Sequence, residues 1–108
     1  MRPRTCEFSD KTKLDALRRC NFTCERCHKP KREVGYLEVH HVLGIAIALN
    51  YYPQISHAVI SSLENAKCYC QKCHDVMDRE DRKRHQEIAK ELLKYQWYVQ
   101  GTLGFAFT

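Results

Sequence analysis

No apolar run in this 108-residue chain exceeds the eight residues Val42–Leu49, and that run contains a glycine. A membrane-spanning helix needs about 20 such residues, so the sequence predicts no transmembrane segment. The opening residues Met1-Arg2-Pro3-Arg4-Thr5-Cys6 lack the apolar h-region of a signal peptide. The expectation is therefore an intracellular, cytoplasmic protein. No internal repeat or low-complexity tract stands out, and the length fits one small domain, 1–108. A hydrophobic share of 44% with 29% charged residues argues against general disorder.

Charge and cysteine are what the chain does have. Eighteen Lys and Arg against thirteen Asp and Glu give a formal charge of +5, compatible with a polyanionic partner. Seven cysteines say more. An odd count without a secretion signal argues against a disulfide framework and toward metal binding, which also staples a domain too small for a large core. Four thiolates holding one Zn²⁺ would lower the formal charge to about +3.

Residues 1–8 read as a loose basic arm. Ser9 is a candidate N-cap for a helix over Asp10–Arg19, with two arginines in its last turn. His28 to Arg32 reads as a basic loop, and Gly35 to His41 as a strand. Between 42 and 62 a short helix is expected up to Tyr52, broken by Pro53. Ala66 to Cys70 suits a second strand. Gln71 to about Gln100 reads as one long helix, with Ile88, Leu92, Tyr95 and Val99 on one face and Gly101 as terminator.

Two C-x-x-C pairs, Cys24 with Cys27 and Cys70 with Cys73, supply the four sulfurs of a tetrahedral site. Zinc is the expected ion and iron the competitor. The site would clip distant segments together and, being closed, would hold the fold without doing chemistry. Cys6, Cys20 and Cys68 are left over. Cys20 and Cys68 lie near enough in sequence to exchange into the site; the simpler reading makes all three free thiols.

His40 and His41 are adjacent at a strand end, where consecutive side chains point to opposite faces. One is suited to a metal and the other to a water molecule. His74 follows the ligand Cys73, and Asp78 lies four residues on, over the same helical face. His28, His57 and His85 read as surface or satisfied core residues.

Cys24-x2-Cys27, Leu37-Glu38-Val39-His40-His41, Leu63-Glu64-Asn65 and Cys70-x2-Cys73-His74, in that order, resemble the HNH endonucleases of the ββα-metal fold, in particular those with a four-cysteine zinc. The resemblance covers about residues 18–78, leaving 79–108 as a helical, aromatic extension. It implies a small α+β zinc-stapled domain: a ββα-metal core with an N-terminal helix and a long C-terminal helix. His41, Asn65 and His74 match the three residues that name the family. The position of His40 is more often aspartate there. The 23 residues between His41 and Asn65 are longer and more apolar than the usual loop, and the common lysine after His74 is missing.

The resemblance implies a metal-dependent DNA endonuclease that hydrolyses phosphodiesters with one catalytic metal and leaves 5′-phosphate and 3′-hydroxyl ends. An imidazole, with an ordinary pKa of about 6.5, can take a proton from water at neutral pH, and that role falls to His41. His40 and His74 would hold the catalytic divalent ion (Mg²⁺, Mn²⁺, Ni²⁺, Co²⁺ or Zn²⁺), with Asp78 as a third ligand. Asn65 would bridge backbone groups and position His41. DNA would be held through its phosphates by Arg18, Arg19, Arg26, Lys29, Lys31 and Arg32 near the cysteine turn, and by Arg79, Arg82, Lys83 and Arg84 on the helix. Glu80, Asp81 and Glu87 intervene on the helix, so an ordinary solvated face is the equal alternative there.

Targeting by a homodimer or a partner protein stays open, as does an origin in a phage or mobile element, where small members of the family are frequent. Two non-catalytic readings stand beside the nuclease. One is a zinc module that binds nucleic acid. The other is a protein-interaction knuckle using Tyr95, Trp97, Tyr98, Phe105 and Phe107, aromatics that could equally pack on the domain's own core.

Overall fold

Ser9 starts the first helix as its spacing predicts: the hydroxyl accepts from the Thr12 amide, and α1 runs Asp10–Arg19. In this computed structural model, which describes the backbone of residues 3–107 and the side chains of residues 3–99, five further helices and a two-stranded sheet follow. These are α2 Lys31–Val34, β1 Glu38–His41, α3 Ile45–Tyr51, α4 His57–Ile60, β2 Ala66–Tyr69, α5 Gln71–Lys83 and α6 His85–Phe107. The domain is a small α+β fold, and among the described residues no helix is long and apolar enough to cross a membrane.

The strands pair antiparallel, with Glu38 opposite Tyr69, Val39 opposite Cys68, His40 opposite Lys67 and His41 opposite Ala66. The pleat alternates the side chains between two faces. Val39, Cys68 and Ala66 face α1 and form a core with Phe8 and Ala16. Glu38 and His40 project toward α5 instead. A second core joins the 42–62 segment to α6, through Leu43, Ile45, Ala48, Ile55, Val59 and Ile60 against Ile88, Ala89 and Leu92. The apolar excess of that segment therefore has a destination. At about 1.5–3 kcal/mol for each fully buried aliphatic side chain, this is the largest apolar reserve of the fold.

Several expectations need correction. Residues 3–8 are not a loose arm: Arg4–Cys6 forms a 3-10 turn, Cys6 is fully buried in the α6 core, and Phe8 is buried over the sheet. The basic loop after His28 contains α2, which Gly35 ends at φ +98°, a conformation that favours glycine. The long helix is two: α5 closes at Arg84 (φ −106°, ψ 18°), whose amide turns back to the Asp81 carbonyl, before α6 begins. Periodicity cannot show such a break, because Arg82, Lys83 and Arg84 are all good helix formers. Gly101 does not terminate α6, which continues to Phe107. Of the aromatic residues in that stretch, Tyr95 packs on the core, Trp97 is 77% exposed and Tyr98 is also exposed. The Phe105 and Phe107 side chains lie outside the described residues.

Asn65 ties the two halves together. It is fully buried; its Nδ2 donates to the carbonyls of Leu43 (3.0 Å) and Ile60 (2.9 Å), and its Oδ1 accepts from the Leu43 amide at 2.7 Å. Its own carbonyl accepts from the Val42 amide. Asn65→Ala leaves three buried backbone groups unpaired and should cost about 3 kcal/mol. Urea unfolding measures this, and a loss below about 1 kcal/mol would contradict the role.

Candidate functional site

The first C-x-x-C pair sits on a turn whose backbone closes on itself. Asn21 (φ 55°) and Phe22 (φ 52°) leave α1 in the left-handed region, a Thr23–Pro30 bridge follows, and His28 (φ 63°) accepts the same conformation beyond Cys27. The His28 amide donates to the Cys24 carbonyl at 2.9 Å and the Cys24 amide to the Lys29 carbonyl at 3.0 Å. The second pair spans the end of β2 and the first turn of α5, where Cys70 is the N-cap residue.

The four sulfurs of Cys24, Cys27, Cys70 and Cys73 lie within 4.8 Å of one another. Cys27 Sγ and Cys70 Sγ are 3.9 Å apart, close to the roughly 3.8 Å that two Zn–S bonds of about 2.3 Å impose at a tetrahedral angle. The group fits a structural ion such as zinc. Burial alone would push the Cys24 thiol up, but donors from the Cys27, Cys70 and Arg26 backbone and from the Cys27 side chain outweigh it and bring it down to about 6. Arg26 adds a guanidinium N–H on Cys73 Sγ at 3.5 Å.

A second sulfur-bearing group adjoins the first. Cys20 Sγ, Cys68 Sγ and a Glu25 carboxylate oxygen also lie within 4.8 Å of one another. Burial, then the neighbouring Cys20, pushes the Cys68 thiol up to about 12. Neither sulfur belongs to the four-cysteine group, so the leftover cysteines do not exchange into it in this structure.

The three histidines of the sequence motif each have one ring nitrogen tied to an acceptor. His40, 6% exposed, places Nε2 3.0 Å from Asp81 Oδ2, itself 3% exposed. His74 places Nδ1 2.6 Å from Glu38 Oε2. His41 donates from Nε2 to the Cys6 carbonyl at 2.8 Å, and its ring stacks on Phe8 with centroids 3.8 Å apart and 10° between planes. A carboxylate or carbonyl only accepts, so the bonded nitrogen carries the proton and the opposite nitrogen is the basic one. The His40 and His74 rings meet edge to face at 4.9 Å.

His40, His41, Asp78, Asp81, Arg82 and His85 help line a pocket of about 320 Å³. Asp81 Oδ1 is buried there without a hydrogen bond, the one such side-chain atom among the described residues. Asp78 is held instead by Arg82 at 2.5 Å. The carboxylate that meets His40 is thus Asp81 and not Asp78. The signal was present, because residues 74, 78 and 81 share one helical face. Glu38 was legible too, lying two residues before His40 on the same strand face. Cys6 and Phe8 gave no signal, since nothing local links the N-terminal turn to a strand end. His85 reaches the pocket from the start of α6 and bonds Tyr52 at 2.6 Å, while His57 bonds Thr5 at 2.8 Å. His40, His74 and Asp78 are not gathered as tightly as the cysteines: among the described residues, only the two cysteine-bearing groups bring three or more ligand atoms within 4.8 Å.

The basic residues divide. Arg19 is a brace, donating to the carbonyls of Leu63 (3.1 Å) and Ala66 (2.5 Å), and Arg26 is turned onto Cys73. Arg82, Lys83 and Arg84 pair with Asp78, Glu80, Asp81 and Glu87. Arg18, Lys29, Lys31, Arg32 and Arg79 are exposed and make no ion pair among the described residues. Against known proteins, no family model matches the chain, and neither a curated protein nor a solved structure matches it.

Protein purified without added metal should carry about one zinc per chain, measured by elemental analysis, and Cys27→Ser or Cys70→Ser should abolish cooperative folding, since zinc binding of the order of 10 kcal/mol is coupled to it. A second expectation concerns acid. In the metal-free chain the Cys24 thiol is held below its ordinary 9.0, at about 6, so the stability its thiolate adds is complete above 9.0 and lost as the pH falls through about 6. Zinc competes with protons for all four sulfurs, so a chromophoric chelator should find zinc retained at pH 7 and released progressively on acidification.

Proposed function

We propose that this protein is a metal-dependent DNA endonuclease of the HNH type, hydrolysing phosphodiester bonds with His41 as general base. The observation that carries the reading is the set of three histidine tethers. Metal-binding histidines commonly donate their second ring N–H to a carboxylate, and His40 with Asp81 and His74 with Glu38 have that arrangement. His41 Nε2 has a backbone carbonyl as acceptor instead, which fixes the tautomer with Nδ1 as the basic nitrogen.

The residues fit a divalent cation. His40 Nδ1 and His74 Nε2 would hold it; Asp81 Oδ1, which accepts no hydrogen bond and has the Arg84 guanidinium 3.6 Å away, lies in the pocket that His40 lines. Closing around an ion requires these side chains to rotate inward. When bound, the cation would offset charge on the phosphoryl oxygens and the leaving oxygen. Imidazole ligation favours Mn²⁺, Ni²⁺, Co²⁺ or Zn²⁺ over Mg²⁺. His41 would take the proton of the attacking water at Nδ1 while its Nε2–H stays on the Cys6 carbonyl. Phe8 keeps the ring plane, and Asn65 keeps the strand end from which His41 projects. Lys29, Lys31, Arg32, Arg18 and Arg79 supply exposed charge for phosphates. One such site cuts one strand at a time, so a double-strand break would require a dimer or two visits. The exposed Trp97 and Tyr51 favour a protein-interaction module as the second reading.

Incubating supercoiled plasmid with the protein across Mg²⁺, Mn²⁺, Ni²⁺ and Zn²⁺ should yield nicked product. His41→Ala should slow cutting at least 100-fold with metal affinity kept. His40→Ala and His74→Ala should raise the metal concentration needed for activity. Absence of cleavage with every ion, or cleavage unaltered in all three variants, would return the protein to a binding module. Asp81→Asn should raise the metal requirement about 10- to 100-fold, as titration calorimetry would read; unchanged affinity would make the His40–Asp81 pair purely structural.

A further inference from the structure

The Cys20–Glu25–Cys68 group is separate from the four-cysteine cluster and from the histidine pocket, and the proposed nuclease reaction does not use it. Three elements converge there: Cys20 caps the C-terminus of α1, Glu25 lies inside the first C-x-x-C turn, and Cys68 is in β2. The placement is over-determined. The Glu25 amide donates to the Cys68 carbonyl at 2.8 Å, and the Cys68 amide donates to Glu25 Oε2 at 2.8 Å. Sulfur, sulfur and carboxylate oxygen all fall within 4.8 Å, and tetrahedral ligation needs about 3.5–3.8 Å between such atoms. Small side-chain rotations close that gap.

The group also has an open side. A pocket of about 230 Å³, lined by Cys20, Thr23, Cys24, Glu25 and His28, reaches it from solvent. Three protein ligands with the fourth position facing a pocket make an exchangeable site, whereas four sulfurs make a closed one. Two thiolates and a carboxylate bring three negative charges; Arg19 and Lys67 stand 3.5 and 3.6 Å from the carboxylate and offset part of them.

We infer that Cys20, Cys68 and Glu25 form a second, weaker binding site for a thiophilic divalent cation such as Zn²⁺ or Cd²⁺, with water in the fourth position. Binding forms two metal–sulfur bonds and one metal–oxygen bond and releases the two thiol protons to solvent. With fewer sulfurs, the site fills after the four-cysteine cluster.

The test titrates Cd²⁺ into the reduced, metal-free full chain and follows the ultraviolet thiolate-to-metal charge-transfer band. Absorbance should rise in two steps and saturate at two equivalents, the second step about half the height of the first, because it makes two Cd–S bonds after four. Cys20 is only partly buried, so Cys20→Ser should keep the first step and lose the second. Saturation of the wild type at one equivalent would overturn the proposal without recourse to any variant. So would a second step that survives Cys20→Ser, since those thiolates would then come from elsewhere.

Discussion

The contact between the Cys24–Cys27 turn and the Cys70–Cys73 turn is the constraint on which the rest of the molecule depends. These segments are separated by residues 28–69 and share a small apolar cluster: Cys24, Tyr69, Cys70 and Cys73 are buried in it, with Cys27, Val34, Leu37 and Met77 partly buried against them. Four sulfurs placed to hold one ion would replace the core that a chain this short cannot build there. Because Cys70 begins α5 directly after β2 ends, fixing the sulfurs also fixes the angle between sheet and helix. That angle brings Glu38 to His74 and His40 to Asp81. An ion held there would be closed off by four sulfurs, and it would set the distances on which chemistry depends.

The apolar core lies elsewhere, and its separation from the four-cysteine cluster explains the length of the 42–62 segment. That segment turns its aliphatic residues onto α6, forming a second hydrophobic unit with its own helices. The seam between the units falls at the pocket, where His40, His41 and Asp81 meet Ile45 and His85. Asn65, directly before β2, closes the seam by holding the backbone of Leu43 and Ile60 in the 42–62 segment. Buried amide networks of this kind are costly when broken and specific when complete.

What could be read from the sequence is what depends on short-range spacing. The C-x-x-C pairs, the Ser9 cap, the two strands and the adjacent histidines all declare themselves within a few residues, because metal geometry, capping and the pleat impose fixed intervals. The break at Arg84 was hidden, since no residue near it opposes helix. The internal commitment of Arg19 was hidden as well, as an arginine near a helix end looks the same whether it faces water or two carbonyls. Asp81 stood between these cases. Its place on the face of His74 was readable, but Asp78 was nearer in sequence and equally acidic. Only the direction of α5 against β1 separates the two.

The anchor of His41 is a main-chain carbonyl, and that has a consequence for how such a protein can change over generations. Any residue at position 6 supplies the same oxygen, so replacement of the cysteine leaves the acceptor in place as long as the 3-10 turn keeps its path. The acceptors of His40 and His74 are carboxylate side chains, and a single codon change removes either. The acceptor is therefore independent of side-chain identity around one imidazole and dependent on it around the other two. Comparison by side-chain identity would register the aspartate and the glutamate and overlook the N-terminal turn, although all three do equivalent work in orienting a ring.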